Sequence, residues 1–501
     1  MVKLDWFKLL ILSGILLLGF AARLYRFDGP IADWHSWRQA DTSAVSRNFI
    51  SSGFDVLHPR ADDLSNVPTT GKYDNPNGYR FVEFPIYNVF QAGLYKIFDR
   101  FTLEEWGRLV TIISSLFSMV FVYLLVKKYA DETVALFAVF LYALIPFNIY
   151  FGRVILPDPM MVTGVLGGIY FFDLWIEENK KSTPVLKKIV LFLLASLFTM
   201  FSLLLKPFAI FFTLPMAAIA FNAYGFSLIK KWQLWIFLII SILPVAFWRV
   251  WILSYPEGIP DSAWLFNGGG IRFTAAFFRW IFAERVGGLI LGFYGIPLLI
   301  LGILLNSKSE KAFSYRRGQQ LLFWAFLISS LTYLIIVARG NVQHDYYQIP
   351  IIPSIVIFAG LGSKFLLNPP KEFINKYISI ATLIVCIVFG LSFRWYVVRD
   401  FFNINNRSII SAGAAVDRLT PKNAKVIANY NGDTSFLYQT KRKGWASYEK
   451  DLPVMVNKLG ADYLAIASPT PADAYFEKYY KIVEKTPQYV IFDLHKNPWS
   501  R

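Results

Sequence analysis

Runs of about 20 apolar residues recur along the whole chain, from "WFKLLILSGILLLGFAA" near the start to "YISIATLIVCIVFGLSF", which ends at residue 393. Each is long enough to cross ~30 Å of hydrocarbon as a helix. Lipid offers no hydrogen-bond partners to open backbone, so each run must satisfy its own amides by coiling. These runs predict a polytopic α-helical membrane protein. Composition agrees, with 55% hydrophobic residues in 501 and a mean hydropathy of +0.44. The net charge of +16 invites a nucleic-acid reading. The Lys and Arg gather instead in short loops between spans, as the positive-inside rule expects. The single cysteine, Cys386, lies in an apolar run and excludes both a disulfide framework and a cysteine metal site.

Hydropathy predicts eleven spans, at roughly 5–23, 108–126, 133–151, 159–176, 188–205, 207–224, 232–253, 287–305, 319–338, 348–367 and 376–396. The first has no clear small-residue cleavage site and reads as a retained span rather than a signal peptide. Basic stretches at 127–128, 179–188, 230–231, 308–317 and 370–376, with Lys3 and Lys8, fall on one face. That face is assigned to the cytoplasm. The other face receives a long first loop, 24–107, the turn at 152–158, the loops at 254–286 and 339–347, and the tail after 397. The segment "FVEFPIYNVFQAGLYKIF" (81–98) tests the scheme. If it crossed, every later basic loop would face outward, so it is expected to lie at the outer interface as an amphipathic helix.

The tail changes character. "KVIANY", "YLAIAS" and "YVIFDL" read as short strands, with helices expected in "SIISAGAAVDRL" and "LPVMVNKLG". Strands alternating with helices predict a small soluble α/β domain over 400–501, following a membrane domain over 1–399.

Four polar clusters share the outer face. They are "DWHSWRQADT" with Asp33, His35, Arg38 and Asp41; "VEFPIY" with Glu83; "GRVILPDPMM" with Arg153 and Asp158; and "RGNVQHDYYQIP" with Arg339, His344, Asp345, Tyr346 and Tyr347. Singly, each has an ordinary explanation. Arg and Tyr anchor span ends, Asp-Pro opens a helix, and a lone His is usually surface polarity. Together they are harder to dismiss, because ionisable groups at membrane depth are costly. A carboxylate can take the proton of an attacking hydroxyl. Arginine can grip a phosphate through two parallel hydrogen bonds, and an aromatic face suits a sugar ring. The combination fits sugar transfer from a lipid-linked phosphate to a hydroxyl.

These motifs resemble the GT-C superfamily of integral-membrane glycosyltransferases, in the branch of protein O-mannosyltransferases and aminoarabinose–lipid A transferases (glycosyltransferase families 39 and 83). The resemblance covers roughly 5–400. It rests on "HSWRQADT", "EFPIYNVFQAGLYKIF", the Arg and Asp of "RVILPD", and "HDYYQIPIIP". It implies an enzyme of the cell envelope with a polyprenyl-phosphate sugar donor, an inverting transfer outside the cytoplasm, and an acidic general base in the first outer loop. The acceptor would be a lipid, glycan or protein. The family's common form there is Asp-Glu, but here Asp41 precedes Thr42 and Asp33 precedes Trp34. The base stays open between them, with Asp41 favoured because it opens a predicted helix close to Arg38. Asp158 and Glu83 are expected as further carboxylates that orient the acceptor or bind a cation. His35, Arg38, Arg153, Lys206, His344, Tyr346 and Tyr347 are the candidates for donor phosphate and sugar. A divalent ion on Glu83, Asp158 and His344 is chemically reasonable, though no spacing requires one. The resemblance further implies a bacterial inner membrane, with the N-terminus cytoplasmic and both the site and the tail outside. Two other readings compete. A transporter or flippase of a lipid-linked sugar should show internal repeats and charges at mid-membrane. A non-catalytic assembly protein leaves the crowded first loop without a role.

Overall fold

A computed structural model of the chain describes residues 6–67, 74–307, 318–370 and 374–496. Lys3, the basic loop at 308–317 and part of that at 370–376 lie outside the described residues. Among the described residues, eight helices have the length and apolar composition to cross a membrane. They are Trp6–Arg23, Leu103–Tyr129, Asp158–Asn179, Val185–Leu205, Pro207–Lys230, Trp232–Ser254, Asp345–Leu367 and Lys376–Leu419. The other three expected spans fall on shorter apolar helices, Glu132–Leu144, Ile296–Ser307 and Gln320–Ile336. The breaks have local causes. Pro146 starts a new helix, Pro146–Phe151, after an extended Ile145, as expected of a residue that cannot donate within a helix. The expected 287–305 span is interrupted at 291–295, where Gly292 takes a φ of +57°.

The chain groups into two compact units. The first comprises Met1–Tyr25, Thr111–Phe247 and Ser262–Asp400. Within it, the broken backbone around Pro146 is held by Arg23. This fully buried guanidinium donates to the carbonyls of Ala143 (3.0 Å) and Asn148 (3.0 Å), and to Gly19 of its own helix (2.8 Å). Irregular backbone away from water needs such partners. Small residues let the helices of this unit approach closely. A Cβ on Gly302 would sit 1.8 Å from the Phe358 carbonyl oxygen, and one on Gly362 would sit 2.1 Å from that of Leu298. The same device joins Asp158–Asn179 to Val185–Leu205. There Gly164 faces Phe198 and Ser202, and Gly168 faces Thr199.

The second unit comprises Arg26–Val110, Trp248–Asp261 and Phe401–Arg501. Its centre is a five-stranded sheet of order β2-β1-β3-β5-β4. The strands are β1 (Lys425–Ala428), β2 (Lys443–Trp445), β3 (Tyr463–Ala467), β4 (Lys481–Lys485) and β5 (Tyr489–Asp493). β1 is parallel to β2 and β3, while β5 is antiparallel to β3 and β4. The three expected strands are β1, β3 and β5. The two missed ones are edge strands with little apolar content, such as "KIVEK", where charges discourage further pairing. Alternation sends Val426 and Ala428 to one face, under the Arg407–Leu419 and Thr434–Thr440 helices, and Ile427 to the other. The first loop joins both cores, with Ala32 on one face and Leu64 on the other. It also extends the sheet edge. Gly444 N–H donates to the Asp62 carbonyl (3.0 Å), and Leu64 N–H donates to that of Gly444 (2.7 Å).

The segment expected at the interface forms the 12-residue helix Ile86–Ile97, about 18 Å long and too short to cross a membrane. Its buried face is polar. Asn88 donates to the Thr42 carbonyl (2.6 Å) and Gln91 to that of Leu103 (2.9 Å). Phe90, Tyr95 and Ile97 are exposed, which is the orientation of a helix that meets lipid with its outer side.

Candidate active site

In the second unit, the first loop builds its polar site on the helix Ser36–Ser52. This helix starts five residues before Asp41, so Asp41 lies in its second turn rather than at its opening. His35 precedes it in the left-handed region, with φ 54°, which sets where the helix begins. Polar side chains bury nearly all round this helix, including Arg38, Asp41, Thr42, Ser46 and Asn48. Such a helix survives in a core only if each group finds a partner.

The partners differ from the expected ones. Arg38 and Asp41, three residues apart, do not pair. Arg38 forms its ion pair with Glu83. Asp41, 3% exposed, binds Arg80 through Oδ2 and accepts from the Thr434 hydroxyl at Oδ1 (2.8 Å). Asp33, equally buried, accepts from the Gln39 amide (2.7 Å), and its carbonyl accepts from Asn405 (2.8 Å). Beside it, Trp34 stacks on Phe401 at 5.1 Å. Glu83 therefore orients Arg38, a candidate phosphate ligand.

The sequence expectation passes over Arg80, Thr434 and the adjacent acids Asp62 and Asp63. Asp62 accepts from Arg47 (3.0 Å) and Asn48 (2.9 Å). Burial pushes its carboxyl above the usual range despite Arg47. Burial also raises Asp63, against hydrogen bonds from Ser65 and the charge of Arg80. Asp433 is raised by burial and by the negative charge of Asp41, against a hydrogen bond from Ser435. The "ADDLS" stretch was a visible signal in the first loop. Thr434, nearly 400 residues from Asp41, had none.

In the first unit, Asp158 opens the helix Asp158–Asn179, and Lys206 ends its neighbour Val185–Leu205. The glycine seam between these helices brings the two charges to 3.6 Å, both buried. Asp158 thus orients Lys206, as Glu83 orients Arg38. Arg153 is buried in the turn between two helices. His344, Tyr346 and Tyr347 form an aromatic stack. His344 lies 5.4 Å from the Tyr346 ring and 6.1 Å from that of Tyr347. Tyr333 donates to the Tyr347 carbonyl (3.0 Å), and Phe208 flanks the Tyr347 ring. Arg285, also passed over in the sequence, stands 4.0 Å from Asp345. Glu83, Asp158 and His344 are the sequence's candidates for a divalent ion. Among the described residues, no group of three or more His, Cys, Asp or Glu is placed to hold a metal ion, and both carboxylates face basic side chains instead.

Comparison with known proteins extends these observations. The family described as dolichyl-phosphate-mannose-protein mannosyltransferase matches residues 81–251. Across solved structures, the chain superposes on ArnT from Cupriavidus metallidurans in the apo state with a TM-score of 0.65, covering 98% of both chains at 12% identity. The chain shares the GT-C fold of ArnT. The same ArnT bound to undecaprenyl phosphate gives a TM-score of 0.64 at 12% identity, again over 98% of both chains. The archaeal oligosaccharyltransferase AglB from Archaeoglobus fulgidus, in complex with an inhibitory peptide and a dolichol-phosphate, gives 0.58 at 12% identity. That match covers 98% of this chain and 74% of AglB. No curated protein matches the sequence. The GT-C resemblance drawn from the motifs is borne out, as is the reading of an integral membrane protein.

Proposed function

We propose that the chain is an inverting glycosyltransferase. It moves a sugar from a polyprenyl-phosphate donor to a hydroxyl or phosphate of a lipid, glycan or protein acceptor. The observation that carries this reading is the fold shared end to end with ArnT, one of whose structures holds undecaprenyl phosphate. The buried acid and basic groups support it. Asp41 takes the acceptor proton, and the acceptor oxygen forms a bond to C1 of the sugar. The bond from C1 to the phosphate oxygen breaks, and its electron pair leaves with the polyprenyl phosphate. In the first unit Lys206 and Arg153, and in the second Arg38 and His35, are the candidates for the phosphate charge that develops on the leaving group. His344, Tyr346 and Tyr347 give the sugar an aromatic face. Asp158 and Glu83 hold Lys206 and Arg38 in place.

The membrane domain is proposed over 1–399 and the soluble domain over 400–501, with the first loop packing into the compact unit of the tail. The N-terminus is cytoplasmic, and the first loop and the tail lie outside the inner membrane of a bacterium. Single cysteines at positions 230 and 344 check this, with 344 expected to label from outside only.

Purified protein in vesicles, given a polyprenyl-phosphate sugar and acceptor lipids, should release polyprenyl phosphate. Asp41→Asn should slow that release by about 10²–10⁴-fold. Wild-type rates in Asp41→Asn together with loss in Asp33→Asn would move the base to Asp33. Movement of intact donor across the vesicle without release would instead show a flippase.

A further inference from the structure

The tail donates a hydrogen bond to the proposed base from Thr434. Thr434 opens the helix Thr434–Thr440 and is buried. Its hydroxyl lies 2.8 Å from Asp41 Oδ1 and 3.1 Å from the Trp37 carbonyl, so one proton is shared between two acceptors on the helix that carries the base. Arg80 takes the other Asp41 oxygen. Asp41 therefore has one partner from the first loop and one from the sheet domain.

The same short helix is fastened to the first loop at other points. Gln439 donates to the Ile31 carbonyl (2.9 Å). Arg47 donates to the Tyr438 carbonyl (3.0 Å) and lies 3.7 Å over the Tyr438 ring, while the Tyr438 hydroxyl donates to Glu104 (2.5 Å). These contacts suffice to dock the helix. A buried hydroxyl aimed at the carboxylate adds to docking, and it also fixes the rotation of the Asp41 side chain. A carboxylate held by an arginine alone can turn about its Cβ–Cγ bond, whereas two donors on two oxygens define one plane.

We propose that Thr434 is a positioning residue for sugar transfer: with Arg80 it sets the Asp41 carboxylate plane, so the soluble domain takes part in the reaction without touching donor or acceptor. This rests on Asp41 being the base.

The test uses the full chain in vesicles and reads kcat and KM for the polyprenyl-phosphate sugar. Thr434→Val removes the hydroxyl at nearly constant shape and should lower kcat by about 10–100-fold with KM unchanged, as misplacement of a reacting group does. Thr434→Ser keeps the hydroxyl and should restore kcat to within about threefold. In an Asp41→Asn background, Thr434→Val should have no further effect, because the two residues act as a unit. Gln439→Ala breaks a docking bond of similar length and should leave kcat within about twofold. Thr434→Ala replaces the valine variant if that variant does not fold. Wild-type kcat in the hydroxyl-free variant overturns the inference, as does an equal loss in Gln439→Ala or an undiminished loss in the Asp41→Asn background. Full transfer by Asp41→Asn overturns the base assignment and this inference with it. Loss in Asp41→Asn with unchanged kcat in the hydroxyl-free Thr434 variant overturns this inference alone.

Discussion

At the scale of single residues, charges out of water decide the architecture of this chain. Three of the four candidate acids face a basic partner: Asp41 has Arg80, Glu83 has Arg38, and Asp158 has Lys206, while Asp33 accepts from the Gln39 amide. Removing one member of such a pair leaves the other charge buried, which costs more than the pair contributes. The sheet domain offers a measurable case in Asp417. Burial would raise its carboxyl, but hydrogen bonds from Lys422, Arg442 and Lys441 outweigh burial and hold it below the usual range. The two lysines are largely exposed and contribute little. Arg442 is fully buried, donates to Asp417 at 2.9 Å, and also holds the Pro421 and Thr420 carbonyls. A carboxyl depressed in the folded state stabilises fully above its unfolded value of about 3.9, and that stability fades as the pH falls toward the folded value. Asp417→Asn should cost about 1–2 kcal/mol at pH 7 and flatten the loss of stability below about pH 4. Acid titration followed by tryptophan fluorescence checks this; an unchanged acid limb would remove Asp417 from the account. The types of the site residues were legible in the sequence, but their pairing was not. Arg38 and Asp41 are near neighbours in the chain, and each is claimed by a group that side-chain direction, not sequence distance, selects.

At the scale of elements, apolar runs identified the helices because length and hydropathy are local properties. Their interruptions were harder to place. Pro146 lies inside a continuous apolar run, and the carbonyls at the break are taken up by Arg23, more than a hundred residues earlier, and by the Asn148 side-chain amide, which donates to Tyr142 (2.6 Å). Close helix pairs depend on glycines whose importance hydropathy cannot register. Gly302→Ala should destabilise the first unit by about 1–3 kcal/mol or more, since its new methyl meets backbone rather than a movable side chain. Gly14→Ala, with nothing within 4 Å, should be neutral or gain up to about 1 kcal/mol in helix propensity. Thermal melts in detergent compare the two. Equal melting temperatures would mean that the crossing of Ile296–Ser307 with Ile352–Leu367 is looser than described.

At the scale of the whole molecule, the first loop and the tail form one folding unit although some 300 residues separate them. Ala32 and Leu64 sit in the two cores of the sheet domain, and Asn405 N–H donates to the Ala32 carbonyl (2.8 Å). A chain ending at Asp400 should therefore lose order at residues 31–34 and 61–64. Hydrogen exchange there should accelerate to the rate of open loops, and protection equal to that of the full chain would show that the first loop folds without the tail. By itself, the sequence determined the membrane class, the place of most apolar helices, the α/β character of the tail and the GT-C resemblance. Each of these rests on runs, periods or motifs confined to short stretches. Tertiary structure alone decided which acid meets which base, and it placed Arg80 and Thr434 on Asp41. Such contacts join residues through space and follow from packing, which no local pattern encodes.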